Sequence, residues 1–301
     1  MTSTGTLPPL TAPATAPRAT RPARRGRGAR RAKTVGYHTL MGTISVLWLL
    51  PILLVLVTSV RTFDDIAANG IGGLPHSFSL SGFAQAWTAG GEEQAMINSF
   101  IVTIPTVLIT LALASMAAFA LSRYQIPFRR SILLLMLGGN LLPPQILLVP
   151  VSKLTELLGF YDTLPAVIAV QTGFGLGFYT FVLQGFMRAI PGEIQQAAVI
   201  DGASPRQIFL RIILPLTKPA LAALSALAFT WVFNDLLWSI TVLRTDTKMP
   251  VTPALLGLQG QYVSSWNVIA AGSVIAAIPT VAVFLRFQRH FVAGLALGAV
   301  K

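Results

Sequence analysis

Cysteine is absent from the 301 residues, which excludes a disulfide scaffold, thiolate metal sites and a cysteine nucleophile. Charge is nearly as scarce. Charged residues make up 11% of the chain, where an ordinary soluble domain carries about 25%. So few cannot cover a chain of this length in water. Acidic residues are the rarer sign, 10 against 22 Lys and Arg. The histidines, His38, His76 and His290, stand apart without metal-ligand spacing. No Gly-x-x-x-x-Gly-Lys-Ser/Thr segment occurs, so a nucleotide cradle of that kind is missing. No nucleophile–base–acid set is found.

What the chain does have is apolar residues, 53% of the total, with a mean hydropathy of +0.69. Uncharged stretches of about 20 apolar residues read as membrane spans. They run from Leu40 to Val60, Ile97 to Leu121, Ser131 to Val151 and Leu164 to Met187, then Pro219 to Leu243, broken only by Asp235. Met249 to Leu285 holds no charge at all. There Pro250, Pro253, Gly257 and Gly260 argue for a loop first, which places a sixth span at about Asn267 to Leu285. The expected fold class is an all-α polytopic membrane protein of six transmembrane helices with both termini on one side. Prolines inside the spans, such as Pro51, Pro105, Pro143, Pro144, Pro150 and Pro279, predict kinked helices around an internal cavity. Trp48, Trp231, Trp238 and Trp266 are candidate interface anchors.

The net charge of +12 would suggest nucleic acid if read alone, but its distribution tells of a membrane. Eighteen of the 22 basic residues fall on one face: the amino-terminal tail, the loops after spans two and four, and the carboxyl end. Only Arg61, Lys153, Arg244 and Lys248 fall on the other, which also holds Asp64, Asp65, Glu92, Glu93, Glu156, Asp162 and Asp246. Positive charge stays cytoplasmic during insertion, so both termini are expected to be cytoplasmic. Residues 1–36 carry five prolines, no acid and no apolar period, and are expected to be a disordered basic tail beside anionic lipid. A cleaved signal is disfavoured, because the apolar run after the tail is too long and lacks a small-x-small site. The six-span membrane domain is then 37–301.

The most informative segment is the loop 188–218. Pro191 opens a short helix with Glu193 in its first turn, where a carboxylate suits the dipole, and Gly202 ends it. Ser204 is a ready N-cap and Pro205 the first residue of a second helix, whose apolar face is Ile208, Phe209, Ile212 and Ile213. Pro215 and Pro219 are expected to stop that helix before span five. A mere connector needs no such helix pair, so the loop reads as a docking surface for another protein.

This segment resembles the EAA loop of permease subunits in type I ABC importers, in particular the carbohydrate-uptake branch to which the maltose permeases belong. Ala197, Ala198, Gly202, Ile212, Leu214 and Pro215 stand at the family spacing, beside Ile200–Ala203; Gln196 takes the place of the motif glutamate, which removes a charge but keeps an amide. The resemblance continues in Ala117–Arg123, Pro143–Pro150, Leu158–Leu164, Phe233–Trp238, Ser265–Gly272 and Gln288–Lys301. It implies the MetI-like permease fold and a part in ATP-driven sugar import. Glu193, Gln196, Ala197, Ala198, Asp201, Gly202, Ala203, Ile208, Phe209, Leu214 and Pro215 would then couple to a cytoplasmic ABC ATPase dimer. That ATPase would bind the ATP and magnesium, so this chain would need no cofactor and perform no catalysis itself. A second permease subunit, an extracytoplasmic sugar-binding protein and the lipid bilayer complete the implied partners; nucleic acid is not among them.

Asp235 is the one formal charge inside an expected span, a position that is usually functional. It either lines a polar path or, with Asn234, pins a kink by hydrogen bonds. Asn140, Gln145, Gln171 and Asn234 are the other candidates for that path. Gln259, Gly260, Gln261 and Tyr262 would by resemblance reach the binding protein, or else form a re-entrant segment; Gly294–Lys301 would enter the ATPase interface, or end freely. Gly173 and Gly177, at i and i+4, suit close helix packing better than a nucleotide loop. An ATP-independent transporter half and a non-transporting scaffold remain the competing functions; the absence of an evident repeat and of further intramembrane carboxylates weighs against the former. The charge distribution makes a direct prediction: a topology reporter fused near Gly90 reads as extracytoplasmic, and a cytoplasmic signal there would overturn the orientation.

Overall fold

The computed structural model describes residues 26–258 and 265–299, and side chains over 34–258 and 265–288. The chain divides into two units, residues 1–51 and 52–301. Helix α1 (Gly26–Ser59) begins inside the stretch 1–36 read as a disordered tail; residues 1–25, most of that stretch, lie outside the described residues. Among the described residues four helices are long and apolar enough to cross a bilayer, or up to six spans if each of two sharply bent helix pairs counts as one.

After α1 the chain makes a compact knot. Helix α2 (Phe63–Asn69) and helix α3 (Ser81–Trp87) are too short to be stable alone. Arg61, fully buried, ties the knot. Its Nε donates to Asp65 Oδ2 at 2.7 Å, Nη2 to the Asp65 carbonyl, and Nη1 to the carbonyls of Gly70 and Ile71. Asp65 also accepts from Asn69 Nδ2 and from the His76 amide. A planar guanidinium with five fixed donors suits such a hub.

Helix α4 (Glu92–Arg123) follows, and then the expected third span proves to be two helices, α5 (Arg129–Leu141) and α6 (Pro144–Leu157), bent by 97°. The tandem prolines are the cause. Leu142 and Pro143 both precede a proline and both leave the helical region, with ψ of 135° and 122°. A straight span from Ser131 to Val151 is therefore corrected to a broken one. Helix α7 (Leu164–Ala189) matches the expected fourth span and is capped by Thr163, whose Oγ1 accepts from the Ala166 amide.

The segment after α7 comprises α8 (Gly192–Ile200), α9 (Pro205–Gln207), a π-helical turn (Ile208–Ile213) and α10 (Leu214–Leu216). Thr217 then turns the chain by 73° into α11 (Lys218–Phe233). The expected fifth span is interrupted as well: α11 ends at Phe233, and α12 (Leu237–Val242) resumes after three residues. Helix α13 (Val251–Gly257) and the long α14 (Trp266–Ala299) complete the order, α14 starting one residue before the expected sixth span.

Helix α4 lies along α7, and α11 crosses α4 and packs on α14. One core joins α4, α7 and α11 through Leu111, Ala114, Ala118, Leu183, Met187 and Leu224. The α6–α7 turn is buttoned to the loop after α12 by Asp162. That residue sits at φ +58°, a conformation that short polar side chains tolerate best. Its carboxylate accepts from the amides of Arg244 and Thr245, the Thr245 hydroxyl and Lys248 Nζ at 2.9 Å. Asn98 and Ser99 of α4 hold the same loop, donating to the Thr247 and Met249 carbonyls and accepting from the Val251 amide.

The Arg61–Asp65 and Asp162 clasps set an acid limit. The Arg61 hydrogen bond holds the Asp65 carboxyl well below the usual carboxylate range, and the donors of Thr245, Arg244 and Lys248 do the same for Asp162. A depressed folded pKa gives stability that is full above the unfolded value, about 3.9, and is lost as pH falls through the folded one. The thermal midpoint of the detergent-solubilised protein should therefore be flat above about pH 5 and fall on acidification below about pH 4. Asp162→Asn should lower the neutral-pH midpoint and shrink that acid loss; an unchanged profile would show that the clasp carries no stability.

Candidate functional site

Two features stand out, at different depths. The first is the loop 188–218. Its helix α8 starts behind Pro191, with Glu193 in the first turn, and ends at Gly202, whose φ of +80° a side chain would resist. Ser204 and Gln207 form a reciprocal capping box: Ser204 Oγ accepts from the Gln207 amide and Gln207 Oε1 from the Ser204 amide. Pro215 does not end the second helix as expected. An α turn would drive its ring against the Arg211 carbonyl; instead the chain widens into the π turn, with the Leu214 amide reaching the Phe209 carbonyl, and the stop comes at Thr217.

The loop has an inner and an outer face. Ala198, Ile208 and Ile213 belong to the core shared with α4 and α7. Phe209 packs its ring 5.1 Å from that of Phe119, and Ala203, Leu214 and Pro215 are half-buried. Arg123, the last residue of α4, donates from Nη2 to the carbonyls of Met187 and Ile190. A cation thus closes the carboxyl end of α7 directly ahead of α8, where the helix dipole favours it. On the outer face Glu193, Gln196, Ala197, Asp201 and Gly202 are exposed. So are two apolar side chains that the motif comparison passed over, Val199 at 58% and Ile200 at 85%. The signal for them was the amphipathic pattern of α8 itself: it has an apolar residue to spare on each side.

The second feature is a cavity of about 520 Å³ near the middle of the spans, bounded by α4, α5, α7 and α11. It brings together Asn140, Gln171 and Asp235 of the five polar residues proposed for a path; Gln145 and Asn234 do not line it. Asn234 instead pins the break in span five, donating from Nδ2 to the Thr230 carbonyl and to Thr280 Oγ1 of α14. Asp235 caps α12, its carboxylate accepting from the amides of Trp238 and Ser239 and from the Ser239 hydroxyl. It holds the break by these bonds and also lines the cavity. Trp238, expected as an interface anchor, is buried here instead, stacked on Phe174 with centroids 4.4 Å apart and planes 16° apart. Trp231 lines the same cavity and packs against Phe178 at 5.5 Å.

Close helix approach occurs on α7, though not at the expected pair. Gly177 lies against the Met136 carbonyl and Asn140 of α5, and a Cβ would not fit there; Gly173 faces open space. Gly175, not Gly173, is the second close position, where a Cβ would come 3.2 Å from Thr110 Cγ2. Gln259, Gly260, Gln261 and Tyr262 lie outside the described residues, as do Val300 and Lys301 of the tail. No group of three or more His, Cys, Asp or Glu able to hold a metal is found among the described residues.

The chain matches, over residues 95–296, the family model described as the inner-membrane component of binding-protein-dependent transport systems. It is 32% identical to the osmoprotective-compound uptake permease protein GgtD of Synechocystis, over 88% of this chain and 91% of that one. It is 31% identical to the trehalose transport system permease protein SugB of Mycobacterium tuberculosis, over 91% and 99%. Among solved structures it is similar to a chain of a bacterial ABC transporter involved in import of the acidic polysaccharide alginate. That likeness has a TM-score of 0.77 at 21% identity, covering 91% of this chain and all of the other, and it fixes the fold.

The Arg123 clasp carries its own test. Arg123→Met removes two charge-assisted hydrogen bonds, each worth about 1.5–3 kcal/mol. It should lower the thermal midpoint by several degrees and speed hydrogen exchange across residues 187–200, while Arg123→Lys loses less. A midpoint and exchange pattern unmoved by Arg123→Met would sink the assignment.

Proposed function

Because the chain belongs to the family of inner-membrane components of binding-protein-dependent transport systems, we propose that it is one membrane subunit of an ATP-driven sugar importer. In this reading it sits in a bacterial-type cytoplasmic membrane with both termini inside. It lines half of the path with a second permease subunit, receives its cargo from an extracytoplasmic binding protein, and performs no chemistry of its own. ATP and magnesium are held by a cytoplasmic ATPase dimer.

The single observation that carries the reading is the two-faced loop. A lipid-facing segment would be expected to expose apolar residues, but this one lies between helix ends among Arg188, Glu193, Asp201, Arg206 and Arg211. There the exposure of Val199 and Ile200 favours burial against protein. Their opposite face is locked to α4 and α7 through Ala198, Ile208 and Phe209. A load applied to α8 is therefore passed to the spans, as a coupling element requires. Gln196 offers the ATPase an amide where the related motif has a carboxylate, so the contact rests on shape and apolar burial more than on an ion pair. The trehalose permease relative supports a sugar as the cargo.

Co-expressed with a sugar-type ATPase and a second permease, the chain should co-purify with both, and loaded binding protein should stimulate ATP hydrolysis by the assembly. Ile200→Glu should abolish ATPase association without changing the thermal midpoint, since Ile200 touches no core. Association that survives Ile200→Glu together with Gly202→Val would refute the docking role.

A further inference from the structure

We propose that the groove between the end of α7, the start of α8 and the foot of α11 is a binding site for an anionic phospholipid. An acyl chain would fill the groove, and Arg188 and Lys218 would hold the phosphate. The inference needs only that the chain sits in a membrane, and depends on neither the ATPase nor the cargo.

The groove has a volume of about 520 Å³ and is lined by Phe186 and Ile190 of α7, Ile194 of α8, Leu216 of α10, and Thr217 and Pro219 beyond it. Its walls are almost wholly hydrocarbon. The Thr217 hydroxyl is already spent on the Ile213 carbonyl, so the groove offers little to a polyhydroxylated ligand. Ile194 and Leu216 stay exposed, at 38% and 50%, and a hydrocarbon neighbour relieves that exposure. The groove also lies where spans end. It adjoins the last turn of α7, a helix long and apolar enough to cross a bilayer, and the first residues of α11. Acyl chains and headgroups meet at that depth.

Charge selects the kind of lipid. Arg188 directly precedes the lining residue Ala189, and Lys218 stands between Thr217 and Pro219. Both side chains are exposed, and neither has a hydrogen bond or ion pair among the described residues. Lys218 is also the first residue of α11, where the helix dipole disfavours a cation. Arg123 adds positive charge at the Ile190 carbonyl. Against these stands Glu193, next to Ile194. A phosphate beside Arg188 and Lys218 offsets the excess and suits the amino end of α11. Basic hollows between spanning helices are where anionic headgroups bind, and a zwitterionic lipid supplies the chain without the net charge.

The groove is distinct from the exposed face of α8. At about 100° per residue, Ile194 lies roughly 120–140° around that helix from Val199 and Ile200. A lipid and a protein can therefore hold the same short helix from different sides.

The test begins with the purified full chain in detergent, titrated with phosphatidylglycerol, phosphatidylcholine or glycerol phosphate. Phosphatidylglycerol should raise the thermal midpoint by several degrees, and by less at high salt. Phosphatidylcholine and the chainless phosphate should do far less. Arg188→Gln with Lys218→Gln should weaken phosphatidylglycerol binding about tenfold or more. Gly185→Leu puts a side chain into open space on the groove wall and suits a helix better than glycine, so it should block the acyl chain and remove the shift. Phosphatidylglycerol with a diazirine on its acyl chain should label peptides within 185–194 or 216–220 of the wild type, both in the isolated chain and in the assembly with its ATPase and second permease. Equal stabilisation by phosphatidylcholine or by glycerol phosphate, unchanged binding in both variants, or label confined to other segments would each overturn the site. Label found on the isolated chain but excluded from the assembly would give the groove to a partner subunit and overturn it as well. None of these results touches the importer reading, which fails instead on absent co-purification or absent stimulation of ATP hydrolysis.

Discussion

Hydrocarbon offers no partner to an amide or a carbonyl, so a spanning helix can break only where the protein supplies hydrogen bonds of its own. The interruptions in this chain obey that constraint one by one. At 234–236 the Phe233 carbonyl receives Thr252 Oγ1, the Thr230 carbonyl receives Asn234, and the free amides of α12 are taken by the Asp235 carboxylate. At Leu142–Pro143 the break uses prolines, which have no N–H to strand. At Thr217 both the amide and the hydroxyl return to the Ile213 carbonyl. The cavity is a consequence: its wall includes Leu142 and Pro144 from one break and Asp235 and Trp238 from another. Two helices that stop short leave room that straight helices would fill.

The same economy explains how the loop and the cavity communicate. Closely packed interiors shift as units and do not absorb a displacement locally. Ala198, Ile208 and Ile213 share one core with Leu183 and Met187 of α7, and Phe209 rests on Phe119 of α4. Thr110 lies about 14 Å farther along that helix from Phe119, in the cavity wall. Phe174 and Gln171 occupy the matching stretch of α7. No flexible connector intervenes on either helix. Packed residues thus connect α8 with both helices that wall the cavity, and the Arg123 bonds tie the end of α7 to the end of α4.

Much of this was legible in the residues. Spans two, four and six, the capping residues Thr163 and Ser204 and the stop at Gly202 follow from hydropathy and local backbone chemistry. Other features were not, for reasons that can be named. Pro143–Pro144 predicts a kink, but a 97° turn depends on what waits on either side, which a one-dimensional pattern does not contain. Trp238 and a lipid-facing tryptophan have the same flanks; only the meeting with Phe174, 64 residues away in sequence, distinguishes them. Ala198 and Ile208 fall within the motif, yet they seat the loop, while Ile200 beside them is presented outward. Nine helical residues define two faces without saying which one the chain will bury against itself. The close glycines are Gly175 and Gly177 rather than Gly173, because approach is set by where α5 and Thr110 lie and not by spacing alone.

Ion pairing also refines the meaning of the basic excess. Two of the four cations placed outside are not loose exceptions to the orientation rule. Arg61 is buried on Asp65, and Lys248 is held by Asp162 at 2.9 Å. Each of these charges is neutralised by a neighbouring carboxylate. Arg123 shows the reverse arrangement. It faces helix-end carbonyls with no carboxylate partner among the described ion pairs. A full positive charge set against a half-charge of dipole leaves a net cation where α4 ends. The same residue therefore ends α4 and fastens to it the loop that follows α7.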